Sequence, residues 1–96
     1  MRLAERIERK LTARFAPVRL RVIDESHKHA GHEGWRAQGE THFSVAIISA
    51  AFAGQSRIAR QRMVYEVLAA ELAEGVHALR LVTLTPEEEP RQPARG

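Results

Sequence analysis

The stretch "THFSVAIISAAFAGQSRIARQRMVYEVLAAELAEGVHALRLVTLT", residues 41–85, decides the fold. Its opening, "THFSVAIIS", places Phe43, Val45 and Ile47 on one side of a strand and Ala46 and Ile48 on the other. Because both sides carry apolar residues, this strand is expected to be covered more fully than a half-exposed one. "AAFAG" breaks the alternation at Gly54, read as a turn residue. Ser56 is then placed to N-cap a helix over "RIARQRMVYEVLAAEL", residues 57–72, with Ile58, Met63, Val67, Leu68 and Leu72 as its apolar face. Met63 and Tyr65 are read as core. Gly75 closes the helix, and "VHALRLVTLT" alternates again as a strand. A strand–helix–strand unit within one sheet crosses over right-handed, so the last strand should run parallel to the strand at Phe43.

Upstream, Leu3, Ile7, Leu11 and Phe15 recur every fourth residue among Arg6, Glu8, Arg9 and Lys10, which predicts an amphipathic helix. Pro17 ends it, lacking an N–H and disfavouring a helical residue before it. "VRLRVID", residues 18–24, puts Val18, Leu20 and Val22 on one face and Arg19 and Arg21 on the other, a half-buried strand. Between the strands runs a long loop without period, including Gly31, Gly34, Trp35 and Gly39. The element order is αββαβ: an α+β domain, a small mixed sheet with helices packed on one face. The folded domain is expected over 1–86, with a polar, disordered C-terminal tail over 87–96.

Composition bounds the function. The 96 residues suit one domain with one modest core. No run approaches the roughly 18 apolar residues of a membrane span, and "MRLAERIERK" has no signal-peptide character. No membrane role and a cytoplasmic location are therefore expected. The net charge of +3 permits nucleic-acid binding without arguing for it. With no cysteine, the chain has neither a disulfide nor a thiolate ligand of its own.

Chemistry concentrates in "DESHKHAGHEGW", residues 24–35, which holds His27, His29 and His32. Neutral imidazole binds zinc, copper and iron, and a loop can turn several toward one ion. The commoner role for such histidines is solvating a polar loop. Asp24, Glu25 and Glu33 are near, but in no hydrolytic metal arrangement, and Ser26-His27 has no third partner. An enzyme is the poorer reading. His42 and His77, each at a strand start, have ordinary structural readings.

The stretches "VIDESHKHAGH", "GETHFSVAIIS", "AAFAGQSRIARQRMVYEVLAAEL" and "GVHALRLVTLTPEE" occur in the order and spacing of the BolA family, which the chain resembles from Val18 to Glu88. The combination of G-E-T-H-F, F-x-G followed by an R-x-R pair, and V-H-A-L is specific. The resemblance implies a class II KH-like fold and a monothiol glutaredoxin partner. It also implies a [2Fe–2S] cluster shared with that partner and glutathione. His77 matches the family's ligand at the start of the last strand, and His29 best matches a second ligand in the strand–strand loop. His27 and His32 could substitute, support a ligand from behind, or only solvate the loop. A chain without thiolates can complete a cluster that its partner half-provides, since imidazoles replace some thiolates, as in Rieske centres. The free form is expected to be a monomer or weak homodimer.

The family resemblance also implies DNA-binding transcriptional regulation, with a helix-turn-helix-like segment here at 52–72. Arg57, Arg60 and Arg62 would then contact phosphates. The family's R-H-R triplet stands here as Arg60-Gln61-Arg62. The G-x-x-G of nucleic-acid-binding KH domains occurs only at Gly31–Gly34, in the strand–strand loop rather than between helices. A solvated helix face or a glutaredoxin-docking surface is the competing reading of these arginines.

Overall fold

The computed structural model describes residues 2–25, 42–76 and 78–89. Helix α1 covers Leu3–Phe15, and Leu3, Ile7, Leu11 and Phe15 are all buried, as the four-residue recurrence predicts. The Glu5 carboxylate accepts the Arg2 backbone N–H at its start. At its end Ala16 adopts a left-handed φ of 43°, donating its N–H to Thr12, and Pro17 prevents continuation. Strand β1, Arg19–Asp24, follows. Leu20 and Val22 pack on the core, but Val18 lies ahead of the strand and is exposed, against the expectation that it shares their face.

Strands β2 (His42–Ile48) and β3 (Ala78–Leu84) complete a sheet ordered β1-β2-β3. β1 pairs antiparallel with β2, and β3 pairs parallel with β2, as a crossover connection requires. The register sorts side chains by face. Val22, Val45 and Leu81 align across the three strands, as do Leu20, Ile47 and Thr83. This face meets α1, and the central strand buries Phe43, Val45 and Ile47 almost completely. Each such side chain contributes roughly 1.5–3 kcal/mol by leaving water.

A 3-10 turn, Ala50–Phe52, inserts Phe52 against Phe15, with ring centroids 5.0 Å apart. Buried Ser49 ties this turn to α1: its hydroxyl donates to the Phe15 carbonyl at 2.6 Å and accepts the Ala51 N–H. Gly54 has a φ of 77°, a conformation that costs a residue with a Cβ, and so serves as the turn. Ser56 caps the next helix, accepting the Ala59 N–H at 3.0 Å.

The single helix expected over 57–72 is two helices. α2 spans Arg57–Val67 and α3 spans Ala69–Glu74, separated at Leu68 (φ −100°, ψ 18°). Leu68 still donates to Val64 and Leu72 to Leu68, so backbone hydrogen bonding continues across the break. Neither proline nor glycine lies there; the feature at that turn is fully buried Glu71, held from α1. The buried stripe is also offset from the expected one. It consists of Arg60, Val64, Leu68 and Glu71, flanked by Met63 and Val67, whereas Ile58 and Tyr65 are exposed. Gly75, with a φ of 133°, ends α3.

After β3 the chain turns at 86–88, and Glu88 and Glu89 are tied back to Arg60 and Arg19. Residues 90–96 lie outside the described residues. No helix among the described residues is long and apolar enough to cross a membrane.

Candidate functional site

One end of the sheet gathers the segments that carry the expected ligands. β1 ends with Asp24 opposite Phe43, and the Glu25 N–H donates to the His42 carbonyl at 2.8 Å. β3 begins with Ala78 directly across from His42. Glu25, where the strand–strand loop departs, His42, just after it returns, and Ala78 are therefore neighbours on three adjacent strands. Two strand spacings separate the outer pair, about 10 Å. His27, His29, His32 and His77 themselves lie outside the described residues, as do Trp35 and Gly39. Among the described residues no group of three His, Cys, Asp or Glu could hold a metal ion.

The three arginines of 57–62 have different surroundings. Arg57 and Arg62 are exposed on α2. Arg60 is only 9% exposed, and its guanidinium is engaged on several sides. Its Nε donates to the Gln55 carbonyl at 2.9 Å and Nη1 to the Thr83 carbonyl at 2.9 Å. Nη1 and Nη2 also donate to the two Glu88 carboxylate oxygens, at 2.7 and 3.1 Å. Glu88 in turn accepts the Thr85 N–H. The Arg60 hydrogen bond, followed by that backbone donor, holds the Glu88 carboxyl at a pKa of about 2. Arg60 thus fastens the C-terminal turn to α2 and β3, and its expected role as a phosphate contact does not fit this geometry. An open cleft of about 490 Å³ lies beside it, between Arg57 and the 81–84 edge of β3.

Sequence reading missed a second charged cluster. Glu71, fully buried, accepts from Lys10 at 3.0 Å and from Arg6 at 2.9 Å, and Arg6 also bonds Glu74. Burial pushes the Glu71 carboxyl up, but the hydrogen bond from Lys10, a backbone bond and the fields of Lys10 and Arg6 outweigh it, so its pKa is lowered. The available signal was the pair Arg6 and Lys10, four apart beside the apolar stripe of α1.

A family model described as BolA-like protein matches residues 11–88. The chain belongs to the BolA family. The DNA-binding transcriptional regulator BolA of Escherichia coli is 47% identical over 88 residues, covering 92% of this chain and 80% of that protein. The structure of BolA1 from Arabidopsis thaliana superposes with a TM-score of 0.81 at 40% identity, covering 92% of this chain and 96% of that one. The BolA domain of SufE1 from the same plant gives a TM-score of 0.80 at 46% identity, over 88% and 93% of the two chains. The α+β fold, three helices on a three-stranded mixed sheet, is the fold of these BolA structures.

Proposed function

We propose that this BolA protein is an adaptor for iron–sulfur handling. It would bind a monothiol glutaredoxin and complete a [2Fe–2S] cluster whose thiolates come from the glutaredoxin and glutathione. The supporting observation is the sheet register: Glu25, His42 and Ala78 bring both ends of the histidine-rich loop beside the start of β3. The donor set suits a shared cluster rather than a private one, because the chain has five histidines and no cysteine. His77 and His29 are the ligands this reading assigns, with His27 and His32 as alternates for His29. The bound cluster would supply electron-transfer or cluster-transfer chemistry; the protein supplies imidazoles and a docking surface.

The test is anaerobic reconstitution with a monothiol glutaredoxin and glutathione, followed by visible absorption and circular dichroism. A spectrum distinct from that of the glutaredoxin alone, and lost in His77→Ala with unchanged folding, supports the reading. An unchanged spectrum in His77→Ala removes the ligand assignment, and failure to form any complex removes the adaptor role. His29→Ala should alter the spectrum less than His77→Ala.

A second reading, transcriptional regulation through DNA contact, draws on the name of the Escherichia coli relative and on the exposed arginines of α2. It now rests on Arg57 and Arg62. Affinity for duplex DNA should fall steeply with salt and weaken in Arg57→Ala/Arg62→Ala. Absence of binding at low salt would dispose of it.

A further inference from the structure

The face of the sheet turned away from the helices has an unusual make-up. A bare face of a small sheet is ordinary, and is normally polar. Here Ala46, Val82 and Leu84 are apolar, as are Ile23 and Ile48; Val82 and Ile23 remain 40% and 36% exposed, whereas Ile48, beside Arg19, is buried. The strand residues of this face, those sharing the parity of Arg19, Ile48 and Leu84, include three arginines (Arg19, Arg21 and Arg80) and no carboxylate. Arg19 is paired by Glu89, which arrives from beyond β3. Arg21 and Arg80 have no such partner among the described residues.

The register gives this face a shape. Ser44 and Ala46 are small and lie along the middle strand. Arg21 and Ile23 rise on one side of them, Arg80 and Val82 on the other. The two ridges stand two strand spacings apart, about 10 Å, which is close to the diameter of an α-helix with its side chains. A cavity of about 340 Å³ continues the trough past Ile48 to the Arg19–Glu89 pair.

We propose that this trough docks an acidic amphipathic helix of a partner protein. Apolar side chains of the helix lie over Ala46 and Val82, and carboxylates on its two flanks pair with Arg21 and Arg80. The Glu89–Arg19 pair is the intramolecular precedent for that recognition. The trough borders the loop end of the sheet, since His42 and Ala78 are the next row on this face beyond Ser44 and Arg80. The proposal nevertheless rests on the charge and shape of the rows from Arg19 to Ile23 and not on cluster binding.

The test uses an acidic amphipathic peptide of about 15 residues, long enough for a marginal helix, built from Leu, Ala and Glu. Its counterpart carries Lys at every Glu. Binding is followed by fluorescence anisotropy and by NMR shifts of the full-length protein. The Glu peptide should shift the Ser44, Ala46 and Val82 amides, and the Lys peptide should not. Arg21→Ala/Arg80→Ala should weaken the Glu peptide by about tenfold, the sum expected of two exposed ion pairs. Arg21→Glu/Arg80→Glu should reverse the preference, a gain that loss of folding cannot imitate. Equal binding of both peptides, or shifts confined to other surfaces, would overturn the proposal. So would displacement of the peptide from this face by single-stranded oligothymidine in favour of tighter DNA binding, or concentration-dependent self-association through this face in sedimentation.

Discussion

The helical stripe Arg60–Val64–Leu68–Glu71 is apolar in its middle and charged at both ends, and the two ends are built differently. At one end the buried cation Arg60 meets a single carboxylate, Glu88, and two backbone carbonyls. At the other end the buried anion Glu71 meets two cations, Lys10 and Arg6, both on α1 and both partly exposed. The first end is a local lock on the C-terminal turn. The second joins elements more than sixty residues apart in sequence. A buried charge adds little net stability over an apolar residue, but breaking such an arrangement on one side is costly. The two ends should therefore respond differently when broken.

Arg60→Leu is expected to have the largest effect, a loss of about 3–4 kcal/mol. It leaves the Thr83 carbonyl and the Glu88 carboxylate without their main donor. Urea denaturation measures the loss, and hydrogen exchange should show residues 85–89 opening first. Arg60→Lys should recover part of the stability, because an ammonium keeps the charge and not the planar fork. A loss below about 1 kcal/mol would mean that the turn holds without its anchor.

Glu71→Gln is expected to cost less, about 2 kcal/mol. Its former partners, Arg6 and Lys10, reach solvent and are not left buried. A double-mutant cycle with Lys10→Met should return a coupling energy of about 1 kcal/mol, since the two groups touch. Zero coupling would show the carboxylate to be held by Arg6 alone.

The contrast between these ends explains what the sequence made legible. The α1 stripe, the Ser56 cap, the Gly75 stop and the parallel last strand follow from local pattern, and each is present. Pattern reading of this helical segment collects apolar residues: Leu68, Met63 and Val67 do meet the core, but the buried stripe begins and ends on charged residues that such a pattern passes over. The apolar pattern places Ile58 in the core and Arg60 on the surface; in the fold Ile58 is 63% exposed and Arg60 is buried. Nothing near Arg60 names Glu88 as its partner, twenty-eight residues on. The proposed histidine ligands are legible only as residue types joined to a family resemblance. The strand register adds the proximity of the two segments, a long-range fact that no local spacing contains.

Acid should weaken both ends, in the same direction. The folded-state pKa values of Glu88 and Glu71 lie below their unfolded values, so each contributes stability that is complete above about pH 5 and is lost as pH falls. For Glu88 the loss continues down to about pH 2. The urea midpoint of the native protein should fall through this window, and more gently in Arg60→Leu, where the first cause of the Glu88 shift is gone. An identical slope in both proteins would place the acid sensitivity elsewhere.

The smallest expected effect sharpens the comparison most economically, because it concerns residues of one type on one helix. Arg57→Ala and Arg62→Ala should each change stability by no more than about 0.5 kcal/mol, since both side chains are exposed. The same substitutions are the ones that should alter DNA affinity if α2 contacts phosphates, with a reduced salt slope as the signature. Arg60, lying between them, should behave in the opposite way, with a large effect on folding and none on DNA affinity beyond that explained by unfolding. Measuring all three variants separates charge that holds the domain together from charge that is free to meet a partner. If Arg57→Ala or Arg62→Ala destabilised the domain as Arg60→Leu does, the division between a structural and an available arginine on α2 would fail.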